Sequence, residues 1–422
     1  MRLASFIFLY FFMGFLYAKP VELVMWHSLA GQTGDEVREL VADFNLSQKN
    51  FAIKLIYKGE YTEALTSFAA AFRAKQPPAL VQIFEVGKAT MLHPRGIIKP
   101  IEELMNEQGI FLPKASFLPA LRDFYSVNSQ LVAMPFNSSI PVVFYNADLL
   151  KKLGYAENDF PHTWDEMENL AAKLHKTGSP CVLTSAYPGW ILIESFSAIH
   201  GLPMIDKKSS KATYNNKAII NHLERLKSWQ HAHYFEYGGR ASDATVLFTS
   251  GRCAMFAQSS GSYNGLKNLV DFRVGVALLP LDTRVSKIRA NNLVGGAALW
   301  AVAGQKPIVY QGIAQFISYI SQSRIQERWH QQTGYLPLGV EGIYSGLVEN
   351  SQHPVLALAQ IDLASKTAKV QHNSGPQNQI RTINDEALEA IFAGIKTPKQ
   401  AMDAAVKEAN FKLLRFFRNA GE

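Results

Sequence analysis

Cysteine is nearly absent: Cys181 and Cys253 are the only two in 422 residues. That excludes a disulfide-dense secreted scaffold and, with no histidine nearby in sequence, makes a poor metal site. The two thiols either pair in an oxidising compartment or stay buried and free, and their spacing does not choose between these. Catalytic motifs are missing too. There is no GxSxG elbow, no HExxH, no P-loop and no GxGxxG. The "SSGS" of residues 259–262 lacks the flanks of a nucleophile elbow, and His27 and His330 stand alone. No enzyme activity, cofactor or metal is expected. Charge of one sign is also scarce: 42 Lys and Arg face 35 Asp and Glu, for a net +7. The densest cluster, residues 206–211, is short. This speaks against nucleic acid and suits a protein that attracts small anions.

Long apolar runs are confined to the N-terminus. "MRLASFIFLYFFMGFLYA" has one arginine, a continuous apolar stretch and a polar shift at Lys19-Pro20. It reads as a secretory signal peptide, residues 1–18, with cleavage after Ala18; the run is too short to span a bilayer comfortably. The mature chain is therefore expected to be secreted, as a soluble protein.

What is present is an alternation of strand and helix signals. "VELVMW", "FAIKLIY" and "ALVQIFEV" read as strands separated by two amphipathic helices, a β-α-β-α-β opening. Residues 131–146, "LVAMPFNSSIPVVFYN", place an Asn-Ser-Ser knot between two apolar runs, as where a chain crosses between lobes. A capping box at Thr163 and Glu166 opens a helix. "WILIESFSAIHG" reads as a helix, and "DFRVGVALLP" and "GGAALWAVAG" as strands returning the chain to the first lobe. The tail is helical, with a break at Thr397-Pro398. The expected architecture is α/β, two lobes around a hinged cleft. Lobe I takes 19–138 and about 287–337; lobe II takes about 139–286 and 338–422. Small ligands bind in such clefts, outside the carboxyl ends of strands.

Polar and aromatic residues gather at those strand ends: Tyr61, Glu85, Ser139, Tyr187, Trp190, Ser259, Gly296, Tyr335 and Arg381. Glu85 stands out, because an acid after a buried strand needs a partner or a cleft. The stretches "YKGEYTEAL", "FEVGKATM", "PFNSSIPVVFYN", "ESFSAIHGLP", "GRCAM", "SSGS", "GGAALW", "TGYLP" and "NQIR" resemble the periplasmic sn-glycerol-3-phosphate-binding proteins of ABC importers. The similarity runs over essentially the whole mature chain. It implies a monomeric two-lobe receptor that docks on permease subunits and, through them, serves a cytoplasmic ATPase. It places Tyr61, Glu85, Ser139, Ser259, Gly296, Tyr335 and Arg381 at the ligand. A tryptophan-rich stretch of the family falls on "SAYPGW", where Tyr187 departs from the pattern and Trp190 is kept.

The chemistry agrees with that set. A phosphate ester calls for an arginine fork and neutral donors, which Arg381, Ser139, Ser259, Gly296 N–H and the tyrosines offer. Glu85 is expected at the other end of the ligand, accepting from glycerol hydroxyls. Tyr187 and Trp190 offer flat faces to glycerol carbons or a choline-like head group, so diesters such as glycerophosphocholine are candidate ligands. A sugar or oligosaccharide receptor and an extracytoplasmic phosphodiester hydrolase are the alternatives.

Overall fold

The computed structural model describes residues 19–93, 95–156, 159–206, 208–350, 353–363 and 375–420. The expected signal peptide lies outside them. Among the described residues no helix is long and apolar enough to cross a membrane.

Two mixed sheets organise the chain. The first runs in the order Phe51–Tyr57, Val21–His27, Leu80–Phe84, Ala297–Val302, Ile98–Lys99, with Met134–Pro135 also on Ala297–Val302. Its first three strands are parallel; Ala297–Val302 enters antiparallel. "AALWAV" is apolar at every position because both of its faces are covered. Helices Gly31–Ser47, Tyr61–Arg73 and Pro307–Ile320 bury their apolar stripes here.

The second sheet runs Phe235–Glu236, Cys181–Ser185, Cys253–Ser259, Pro141–Asn146, Val274–Leu278. Pro141–Asn146 shows the strand period of two. Val143 and Tyr145 face a core shared with helices Trp164–Lys176, Lys217–His231 and Gln377–Phe392. Val142 and Phe144 face a smaller core with Phe256, Leu336 and Val355. The capping box forms as expected: Glu166 N–H donates to Thr163 Oγ1 at 3.2 Å and Thr163 N–H donates to Glu166 Oε2 at 3.0 Å. The helical tail breaks where expected, between Gln377–Phe392 and Pro398–Ala420.

The cysteine question has an answer. Cys181 and Cys253 are opposite each other on adjacent parallel strands, with Cα atoms 4.4 Å apart, and form a disulfide. Several expectations shift. Val274–Leu278 stays in the second sheet, antiparallel to Pro141–Asn146, so of the two expected return strands only Ala297–Val302 reaches the first. The return falls later than residue 287, because Ala290 N–H still donates to Ile199 O. Leu338, Tyr344 and Leu347 pack in the first core, past the expected boundary at 337. "GWILIES" is a π-helix, Gly189–Ser195, followed by one α-turn, Phe196–Ile199.

Two crossings between the sheets run side by side. Ser139 N–H donates to Gly295 O at 3.1 Å, and Gly295 N–H donates to Ser139 O at 2.8 Å. The short link after Met134–Pro135 and the link before Ala297–Val302 thus form one two-stranded connection.

Candidate ligand-binding site

A cavity of about 360 Å³ opens between the two sheets' strand ends. All nine residues singled out from the sequence line it: Tyr61, Glu85, Ser139, Tyr187, Trp190, Ser259, Gly296, Tyr335 and Arg381. Tyr61, Glu85, Gly296 and Tyr335 come from the first lobe, the others from the crossing or the second.

Local structure explains each position. Leu80–Phe84 is buried throughout, and the chain leaves it in a single 3-10 turn, Glu85–Gly87. Glu85 N–H donates to Gly296 O at 3.0 Å. Gly296 has φ +89, and a Cβ there would lie 1.9 Å from Asn137 O, so only glycine fits beside the crossing. A buried amide relay fixes Tyr61. Ser28 N–H donates to Gln82 Oε1 at 2.7 Å, Gln82 Nε2 to Asn137 Oδ1 at 2.7 Å, and Asn137 Nδ2 to Tyr61 Oη at 2.8 Å. The Tyr61 ring stacks on Phe84 with centroids 5.4 Å apart.

Gly334, with φ +83, ends helix Ser323–Thr333 and turns Tyr335 inward. The Tyr335 ring lies over Gly261, where a Cβ would come within 2.2 Å of it. Trp190 packs on Gly295 in the same way. Tyr187 has φ +41, a strained conformation for a non-glycine residue. Its N–H donates to Ala241 O at 2.7 Å, and Ser242 Oγ donates to its hydroxyl at 3.0 Å. Burial pushes the hydroxyl pKa values of Tyr61, Tyr187 and Tyr335 up, so all three are neutral hydrogen-bonding groups at ordinary pH.

The electrostatics depart from expectation. Arg381 does not present a free fork. Its Nε donates to Glu194 Oε1 at 2.9 Å and its Nη2 to Glu194 Oε2 at 2.5 Å. Nor does Glu85 sit at the far end of the cavity, because its Oε1 lies 2.7 Å from Arg381 Nη1. A carboxylate emerging from a buried strand needs a cation, and Arg381 is the cation within reach. Burial alone would lower the Arg381 guanidinium; Glu194 and Glu85 outweigh it and hold its pKa above the ordinary value. Burial raises the Glu85 carboxyl against the pull of Arg381.

Further lining residues went unnoticed in the sequence: Glu60, Arg240, Thr382 and Asp385. Asp385 lies one helical turn after Arg381, a spacing that the sequence displays. Its Oδ1 accepts Gly189 N–H at 2.9 Å, and burial pushes its carboxyl up to about 6. Arg240 is forked to Glu389, with both bonds 2.6 Å. Glu194 stands behind Arg381, an acid in the apolar run "WILIESF"; the reasoning applied to Glu85 would have found it. A second cavity of about 230 Å³ shares Glu60, Tyr61, Tyr187, Ser262 and Tyr335 with the first.

Two α/β lobes joined by paired crossings, with a cavity between them, make this chain a two-lobe binding protein of the periplasmic type. The profile of bacterial extracellular solute-binding proteins matches residues 39–342, and the chain belongs to that family. It is 35% identical over 410 residues to the sn-glycerol-3-phosphate-binding periplasmic protein UgpB of Yersinia pseudotuberculosis serotype I, covering 94% of this chain and 93% of the relative. The protein of the same name from Salmonella typhimurium is 35% identical over 418 residues, with coverage of 94% and 93%. Among solved structures, UgpB from Mycobacterium tuberculosis in complex with glycerophosphocholine superposes with a TM-score of 0.78 at 22% identity, covering 94% of this chain and 99% of that one. Maltose-bound MalE3 of T. maritima superposes at 0.77 with 17% identity, covering 93% and 99%. At these identities the superpositions establish the fold alone.

Proposed function

We propose that this chain is the periplasmic receptor of an ABC importer. It captures sn-glycerol-3-phosphate or a glycerophosphodiester between its lobes and hands it to the membrane permease, which a cytoplasmic ATPase drives. It acts as a monomer and performs no chemistry on the ligand. One observation carries the reading: the nine residues singled out from the sequence, drawn from both lobes and the crossing, line a single cavity. The names of its relatives point the same way.

The ligand would be held mainly by neutral donors. Ser139, Ser259, Tyr61 and Tyr335 offer hydroxyls, and Arg381 keeps N–H groups not engaged by its two carboxylates. Glu85 and Asp385 accept from glycerol hydroxyls. Tyr187 and Trp190, with ring centroids 6.4 Å apart, would flank the carbon skeleton or a head-group cation. The adjoining cavity gives a diester's second arm somewhere to go.

Thermal melting tests the reading. Glycerol-3-phosphate or glycerophosphocholine at millimolar concentration should raise the melting temperature, because a ligand that binds only the folded state stabilises it by mass action. A shift with maltose and none with either phosphate ester would turn the assignment to a sugar receptor.

A further inference from the structure

The last helix, Pro398–Ala420, is covered on one side and bare on the other. Its inner face is full. Ala401, Met402, Ala405, Val406, Ala409 and Leu413 are buried in the second lobe's core. Asn410 pins the helix there: its Oδ1 accepts Ala212 N–H at 2.7 Å and its Nδ2 donates to Ala212 O at 3.2 Å. Phe416, at the edge of that face, meets His93 of the first lobe with ring centroids 5.0 Å apart. The outer face is different. Phe411 and Leu414 are 61% and 70% exposed. Among the described residues they are the only large, exposed hydrophobics one turn apart on a helix. Single exposed apolar residues are ordinary, but packing does not explain a pair held out opposite a filled core.

Charge singles out the same face. The helix carries five cations and two acids. Both acids are engaged on the helix itself, Asp403 with Lys399 at 2.6 Å and Glu408 with Lys412 at 3.9 Å. Lys407, Arg415 and Arg418 are exposed and form no ion pair among the described residues. Lys407, Phe411, Leu414, Arg415 and Arg418 follow the spacing i, i+4, i+7, i+8, i+11, which a helix puts on one side.

We infer that this face is a docking surface for an anionic membrane. Phe411 and Leu414 enter the headgroup layer, and Lys407, Arg415 and Arg418 pair with lipid phosphates around them. Apolar tips among lysine and arginine are the chemistry of interfacial helices, and each cation near an anionic leaflet adds to the attraction. A bilayer needs no fitted shape. The strip is the convex side of one helix, which gives a protein partner no recess to enter, and a second copy would bring like charges together. Such docking does not depend on the ligand's identity. A receptor held loosely on the membrane searches for its permease in two dimensions instead of three.

Co-sedimentation of the full mature chain with vesicles tests it. Vesicles of phosphatidylcholine alone are compared with vesicles containing about 30% phosphatidylglycerol, at low salt and at about 150 mM salt. The wild type should bind the anionic vesicles and not the neutral ones. Salt should weaken the binding without abolishing it, because apolar contacts are not screened. Lys407→Gln, Arg415→Gln and Arg418→Gln together should lower partition into anionic vesicles by about fivefold per charge, or about a hundredfold in all. Phe411→Ser with Leu414→Ser should lower it at least about tenfold and remove the binding that survives salt. All five side chains are exposed, so folding should survive, which circular dichroism checks. A control triple, Lys152→Gln, Lys217→Gln and Lys306→Gln, removes the same charge from exposed positions elsewhere and should keep most of the binding.

Failure of the wild type to bind anionic vesicles at either salt overturns the inference and leaves the face to a protein partner. A loss in the control triple as large as in the face triple also overturns it, since net charge alone would then account for the attraction. So does a dimer, seen by sedimentation equilibrium, that Phe411→Ser with Leu414→Ser abolishes; the face would then belong to a second copy. Thermal melting with phosphate esters reads ligand capture separately, so failure of one reading is not mistaken for failure of the other.

Discussion

At the scale of single residues, the cavity is decided by which charges must be buried together. Arg381 is the hub. Removing it leaves Glu85 and Glu194 facing each other without a cation. We expect Arg381→Ala to lose about 3–5 kcal/mol of stability in urea unfolding, the usual consequence of breaking a buried pair. An unchanged midpoint would show that both carboxylates are hydrated in place. Asp385 makes a prediction with a sign. Its folded pKa, about 6, lies above the ordinary 3.8, so the native state holds this proton more tightly than the unfolded chain does. Its burial costs stability above about pH 6, and that cost vanishes as the pH falls below 3.8. Asp385→Asn should therefore be more stable than wild type at pH 7.5, by at most about 3 kcal/mol. At pH 3.5 the two should coincide, as unfolding at both pH values would show.

At the scale of elements, two devices hold the second lobe and the crossing. The disulfide ties strands Cys181–Ser185 and Cys253–Ser259 across 72 residues of chain. Closing a loop of that length is worth about 4 kcal/mol in the chain-entropy account. Denaturant unfolding with and without reductant should show a loss of that order; equal midpoints would place the stabilisation elsewhere. The crossing depends on Gly296. A methyl group there would collide with Asn137 O, and φ +89 disfavours any side chain. Gly296→Ala should cost at least about 1–3 kcal/mol from backbone strain alone. It should also weaken ligand binding, because Gly296 O holds the Glu85 turn. Near-wild-type stability and affinity together would mean that the crossing can shift freely. The element types were legible because their signals are local: the period of two in "FAIKLIY", the Thr163–Glu166 box, the proline at 398. The π-helix was not, since its sequence carries the same apolar run as an ordinary helix. The membership of Val274–Leu278 was not either, because "VGVAL" is apolar throughout and an apolar strand fits either sheet.

At the scale of the whole molecule, we expect the lobes to close on the ligand. The paired crossings at Ser139 and Gly295 are narrow, and the Glu85–Arg381 bond spans the cleft. A ligand that contacts both walls shifts the population toward closure only through contacts it makes in the closed state. Small-angle scattering should show a smaller radius of gyration with saturating ligand. An identical radius, in a protein that calorimetry shows to be binding, would mean closure precedes the ligand. The amino-acid sequence by itself determined the α/β alternation, the two-lobe plan and the nine residues that line one cavity, because hydrophobic period, caps and family motifs are written in short stretches. Tertiary structure alone decided that the cysteines pair and that Val274–Leu278 belongs to the second sheet. It alone brought Glu85 and Glu194 onto one guanidinium. Those outcomes depend on distances between residues far apart in the chain, and a buried charge finds its partner only after the fold has placed every candidate in space.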